Sequence, residues 1–144
     1  MIGGLLAKQI VRRGYAALNL CDVDGVMALF ADDAVLEFPG RSALAGRYEG
    51  AEAIRRFFVE RCARVDRLHY TLTHVAVTET LTLGTSNTVL VEWVLVETMA
   101  DGQAHHVSGV SSLHLHGGKV VRAREYVDEQ DVLEEAWGRH HTAA

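Results

Sequence analysis

The chain has 144 residues, 49% of them hydrophobic, and a formal charge of −5. That length suits one domain, residues 1–144, with a core of its own. The acidic balance argues against nucleic acid as the main partner, because phosphate binding needs a clustered basic surface. Leu6, Ile10, Val11, Tyr15 and Leu18 recur at helical spacing and predict a helix over 3–20. Asp22 is placed to cap a short second helix holding Val23, Val26, Met27 and Phe30. Residues 33–38 read as a short strand ending at Pro39-Gly40, followed by a loop. Ala51, Ile54, Phe58, Cys62 and Val65 then line one face of a third helix, with Arg55, Arg56, Glu60 and Arg64 on its solvated side.

From residue 68 the hydrophobic period changes from 3.6 to 2. Strands are expected over 68–78, 87–99, 104–116 and 119–127, joined by short turns at 83–86, 101–103 and Gly117-Gly118. Asp128 is placed to cap a closing helix with Leu133 and Trp137 on its apolar side. Helices first and a long meander second give an α+β domain. The expected architecture is a cone-shaped barrel: a curved antiparallel sheet wrapped around the N-terminal helices, with a short C-terminal helix.

Cys21 and Cys62 both fall inside helical patterns and read as buried free thiols in a reducing compartment rather than a disulfide. The start, Met1 to Lys8, lacks the basic n-region of a signal peptide, and no later segment is long and apolar enough to span a bilayer. A cytoplasmic protein with no membrane partner is expected.

The order of elements resembles the nuclear transport factor 2-like superfamily, and within it the SnoaL-like group. Leu29-Phe30-Ala31-Asp32-Asp33-Ala34-Val35, Gly46-Arg47-Tyr48-Glu49-Gly50 before Ala53 to Phe58, and His116-Gly117-Gly118-Lys119-Val120-Val121 leading to Glu125-Tyr126-Val127-Asp128 carry the resemblance. These motifs are turns, caps and core positions, so they imply a fold rather than one reaction. Set against ketosteroid isomerase, the general base falls on Phe38, the oxyanion tyrosine on Gly14 beside Tyr15, and the protonated aspartate on Val110. Set against limonene epoxide hydrolase, the arginine falls on Glu92 and the two aspartates on Val94 and Glu125. Only Glu125 keeps its chemistry. It also matches the late-sheet acid of SnoaL-like cyclases.

Counting back from the Gly117-Gly118 turn pairs His116 with Lys119 and sets Glu125 opposite Val110, with Ser108 and Ser112 as diagonal neighbours. Pairing Ala100 with Ala104 sets Val94 opposite Val110 and Glu92 opposite Ser112. On that register one face carries Glu92, Val94, Val96, His106, Ser108, Val110, Ser112, His114, Ala123, Glu125 and Val127. The other carries Trp93, Leu95, Val107, Leu113 and Leu115, and a one-residue bulge would exchange the two.

A carboxylate among apolar neighbours is either paired or raised in pKa and available for proton transfer. Glu125 is thus the candidate acid/base. Glu92, on the order of 11 Å away at the backbone, and His106 are its candidate catalytic partners. Tyr15, Phe38, Tyr48, Val94, Ser108, Val110, Ser112 and Val127 are the expected substrate-binding residues. There is no Cys-x-x-Cys and no His-Glu-x-x-His. His106 and His114 lie about 26 Å apart along a strand and cannot share one ion, so no metal is expected; no cofactor is expected either. His140 and His141 read as a frayed tail.

Two functions remain open. One is a cofactor-free enzyme shifting a proton on a small, largely apolar, polyketide- or terpenoid-like molecule by cyclisation, isomerisation or hydration. The other is a non-catalytic ligand-binding or dimerisation domain. Because both sheet faces look partly apolar, a homodimer through the outer face is expected.

Overall fold

The computed structural model describes residues 2–78 and 86–140. Its elements are α1 (Ile2–Asn19), α2 (Val23–Met27), β1 (Phe30–Phe38), β2 (Gly46–Glu49), α3 (Ala51–Arg64), β3 (Val65–Val77), β4 (Ser86–Met99), β5 (Ala104–His116), β6 (Lys119–Val127) and α4 (Gln130–Trp137). One sheet holds all six strands in the order β2-β1-β6-β5-β4-β3. The expected meander β3-β4-β5-β6 is antiparallel, and β1 joins it parallel to β6, which makes the sheet mixed. The helices lie against its concave face: Ala7, Val11 and Leu18 of α1 and Ile54, Phe57 and Phe58 of α3 are buried against Trp93, Leu95, Leu113 and Ala123 in one core. Leu133 and Trp137 of α4 complete that core.

Local chemistry explains where the helices stop. Asn19 ends α1 by acting as a strand edge: its Nδ2 donates to the Tyr70 carbonyl (3.1 Å) and its Oδ1 accepts from the Tyr70 N–H (2.7 Å). The chain then turns through Cys21, whose φ of +49° lies in the left-handed region, and Asp22 caps α2 by accepting from the Gly25 N–H (2.9 Å). The sheet curves where its strands carry bulges. Register shifts occur between Val65 and Arg67, between Leu72 and His74, and on β6 opposite His114 and Leu115.

Several expectations need correction. The loop after Pro39 contains β2, whose four residues pair with Val35 to Phe38; a run that short shows too little alternation to stand out. The N-cap of α4 is Glu129 rather than Asp128. The Glu129 carboxylate accepts from the N–H and hydroxyl of Ser108, while the Asp128 N–H continues the ladder to the Ser108 carbonyl. His140 is tied down by its N–H to the Arg41 carbonyl (2.7 Å) beside a bridge between Ser42 and Arg139. His141 and most of the turn expected at 83–86 lie outside the described residues.

Cys21 and Cys62 are joined, with Cα atoms 5.8 Å apart. Helical periodicity places each cysteine on an inner face but does not say that the α1–α2 turn seats one against the other. The free-thiol expectation is overturned, and with it the support it lent to a reducing compartment. No described helix is long and apolar enough to cross a membrane. The bridge closes a 41-residue separation, so chain entropy assigns it about 4 kcal/mol. Reduction, or Cys21→Ser with Cys62→Ser, is expected to lower the unfolding free energy by that order, seen as a lower urea midpoint. An unchanged midpoint would show that the staple contributes nothing.

Candidate active site

A single extra residue decides which side chains face inward. On β6 the pairs run His116 with Lys119 and Leu115 with Val120, but His114 pairs with Arg122. Val121 is the bulged residue, so everything beyond it is displaced by one. Glu125 therefore lies opposite Ser111, not Val110. On β4–β5 the loop is longer than expected and Thr98 pairs with Ala104. That slip of two changes partners without changing faces. The concave side of β4 and β5 is Val89, Val91, Trp93, Leu95, Glu97, Val107, Gly109, Ser111, Leu113 and Leu115, joined by Ala123 and Glu125 of β6.

The remaining candidates sort accordingly. Glu92 is on the outer face, exposed and paired with His74 Nδ1 (2.9 Å). His106 is exposed on the same outer face, opposite Val96. Val94, Ser108, Val110 and Ser112 also face outward; Val94 lies opposite Ser108, which holds Glu129. Tyr48 sits behind the cavity, its ring 4.8 Å from Phe57 and its hydroxyl donating to the Leu44 carbonyl (2.9 Å). Val127 is half-buried against the core without lining the cavity. Tyr15, Phe38 and Glu125 do line it.

That cavity lies between α1, α3 and the sheet, with a volume of about 80 Å³, on a measure by which one water needs ~10–15 Å³. Its wall is apolar, built from residues such as Ile10, Leu18, Leu36, Phe57, Phe58 and Leu113, and its polar members are Tyr15, Arg61, Tyr70 and Glu125. Ser111 connects two of them. Its hydroxyl donates to Glu125 Oε2, accepts from Trp93 Nε1 (2.9 Å) and lies 2.6 Å from the Tyr15 hydroxyl. Gly109 makes room for this: a Cβ there would run into the Tyr126 carbonyl and the Trp93 ring, so the strand lets the indole lie across it and reach Ser111.

Arg61 stands across from this hub. It is 3% exposed and lies 3.6 Å from Glu97, which is 0% exposed and also accepts from Trp137 Nε1 (2.9 Å). Its guanidinium carbon is 5.6 Å from the Tyr70 ring centre. Burial works against the Arg61 charge, but Tyr70, Glu97 and Glu125 outweigh it and raise its pKa. For Glu125 the balance falls the other way. Burial pushes its carboxyl up to about 7, against the Ser111 hydrogen bond and the Arg61 charge, both of which pull it down. Burial likewise raises Tyr70 to about 12 and Tyr15 well above its ordinary value, where the nearby Glu125 charge adds to the effect. The site thus holds one acid that changes state near neutrality, beside a permanent cation and two neutral phenols.

Arg61 and Ser111 went unread in the sequence for different reasons. Arg61 occupies the apolar stripe of its helix, seven residues after Ile54, where a charge is a signal of partnership. Ser111 depended on the bulge at Val121, which leaves no mark in the pattern.

A SnoaL-like domain model matches residues 11–123. Bal32a, from a soil-derived mobile gene cassette, is 26% identical with a TM-score of 0.81, over 94% of this chain and 98% of that one. Rv0760c from Mycobacterium tuberculosis, solved with estradiol-17beta-hemisuccinate, is 25% identical with a TM-score of 0.72, over 84% and 92%. A protein from Xanthomonas campestris pv. campestris, provisionally assigned as a polyketide cyclase, shares the fold at 20% identity and a TM-score of 0.68, over 93% and 98%. That match spans 113 of the 144 residues, and the chain belongs to the SnoaL-like domain family.

Proposed function

We propose that the protein is a cofactor-free acid/base enzyme acting on a small, largely apolar molecule of polyketide or terpenoid type. Glu125 is the group that takes a proton from the substrate and returns it, in a cyclisation, isomerisation or hydration. The observation that carries this reading is the position of the Glu125 carboxyl in the wall of an apolar cavity, where burial pushes its pKa up to about 7. At neutral pH both of its forms are populated, which is what a group that both accepts and returns a proton requires. Arg61, Tyr15 and Tyr70 are the charged and hydroxyl groups available to an oxygen that gains negative charge as the proton leaves. The solved complex of Rv0760c with a steroid ester supports a small-molecule occupant.

Non-catalytic ligand binding is the second reading. It is favoured by Gly14 and Phe38, which line the cavity where the isomerase resemblance would put a tyrosine and an aspartate. Glu125→Gln, assayed against epoxides and polyketide aldehydes, separates the two: lost turnover supports the enzyme, and turnover equal to wild type ends it.

The outer face of the sheet is proposed to pair with a second copy. Leu90 and Val94 stand 41% and 45% exposed there, two positions before and two after the outward-facing Glu92. Val94→Glu is expected to convert a dimer to a monomer in sedimentation, and a wild-type monomer would dismiss the pairing.

A further inference from the structure

The hydroxyl of Ser111 has one hydrogen and two lone pairs, and three neighbours claim all of them. Trp93 Nε1–H is a donor only, so it occupies one lone pair. One hydrogen and one lone pair are left for Tyr15 and Glu125. Ser111 is 0% exposed, so solvent does not stand in for either partner.

Two arrangements satisfy every group. With Glu125 ionised, Ser111 gives its hydrogen to Oε2, and Tyr15 must donate into the remaining lone pair. The Tyr15 oxygen then turns only lone pairs toward the cavity. With a proton on Oε2, Glu125 donates to Ser111, Ser111 turns its hydrogen to Tyr15, and the Tyr15 O–H is released. The count balances: one proton enters at Oε2 from solvent, two hydroxyl hydrogens rotate, and no other bond changes. Oε2 is the favoured site because the Ser111 hydroxyl already lies within hydrogen-bond reach of it and turns from donor to acceptor by rotation. Elsewhere the wall is apolar apart from Arg61, which only donates, and Tyr70, whose ring centre lies 5.6 Å from the Arg61 guanidinium carbon.

We infer that Ser111 ties the direction of the Tyr15 hydrogen bond to the protonation state of Glu125, so that the cavity offers its ligand a phenolic donor when Glu125 holds a proton and a phenolic acceptor when it does not. The ligand class changes with it. The protonated state fits an acceptor oxygen, as in a ketone or an epoxide; the ionised state fits a hydroxyl. The other groups facing Tyr15 and Glu125 do not disturb this near neutrality. Arg61 from α3 stays charged, burial pushes Tyr70 from β3 up to about 12, and Glu97 from β4 is engaged by Arg61 and Trp137. The inference rests on the reading of Glu125 as the proton-exchanging group of the cavity, and makes Ser111 a positioning residue for it.

The test is carbon-13 NMR of the full chain, labelled at tyrosine Cζ and glutamate Cδ, with Tyr15→Phe and Glu125→Gln as assignments. In wild type the Tyr15 resonance should move with the same midpoint as Glu125. In Ser111→Ala the Glu125 titration should persist while the Tyr15 response loses more than half its amplitude. A Tyr15 resonance indifferent to Glu125 in wild type, or one that follows it undiminished in Ser111→Ala, overturns the coupling. Should Ser111→Ala not fold, acetophenone, which only accepts, serves as the probe. Its affinity for wild type should fall about tenfold as pH rises through the Glu125 midpoint, the worth of one hydrogen bond, and that fall should vanish in Tyr15→Phe. An equal fall in Tyr15→Phe overturns the coupling too. A Glu125 midpoint at an ordinary carboxylate value defeats the enzymatic reading instead, and the coupling then still stands or falls by whether Tyr15 follows.

Discussion

Glu125→Gln is expected to lower turnover by ~10²–10⁴-fold, the usual worth of a positioned general acid or base, with little change in substrate affinity. The amide keeps the volume and an acceptor for Ser111 but exchanges no proton. The pH profiles should differ in kind. For a reaction that begins with proton abstraction, wild-type turnover rises with pH and levels off above about 7, where burial has placed the Glu125 carboxyl. The residual rate of the variant should show no such limb. Stability follows the same titration with the opposite sense. The folded carboxyl holds its proton more tightly than the unfolded one, so its contribution is fully present below the unfolded value of 4.5 and is lost as pH rises to about 7. On the order of 3 kcal/mol is at stake at ~1.4 kcal/mol per pH unit, and Glu125→Gln should remove that slope. Denaturation midpoints across pH 4–8 measure it directly; parallel slopes in the two proteins would mean that Glu125 titrates as it does in water.

Arg61→Met should be the most destabilising single change in the site, by about 3–5 kcal/mol. It leaves Glu97 with no exposure and only the Trp137 N–H for company. The pair itself is not a source of stability, since taking two charges out of water offsets most of their attraction. Replacing both Arg61 and Glu97 by methionine should therefore recover much of the loss. Urea midpoints at unchanged slope decide the matter. A single variant as stable as wild type would place Glu97 in contact with solvent, contrary to its burial.

The elements read easily from the sequence because their signals are local. The stripe from Ile54 to Phe58 makes α3, the alternation from Val89 to Leu95 makes β4, and the Gly117-Gly118 turn fixes β5 against β6. Which face of the sheet looks inward is not local. Val121 alone reverses it, moving Ser111 under Glu125 and sending Glu92, His106, Val94, Ser108, Val110 and Ser112 to the other side. Glu125 itself was legible, since it stands two residues from Ala123 and Val127 whichever strand lies opposite. The Cys21–Cys62 bridge and the Arg61–Glu97 pair join segments far apart in the chain, and only the assembled fold brings them together.

The proposal stands on a carboxyl that loses its proton near neutrality inside a hydrophobic hollow. Carbon-13 detection of the Glu125 side chain through a pH series measures this with no substrate in hand. A midpoint close to 7 is the expected result; a midpoint near 4.5 would mean that water reaches the group freely, and Glu125 would not be the proton carrier.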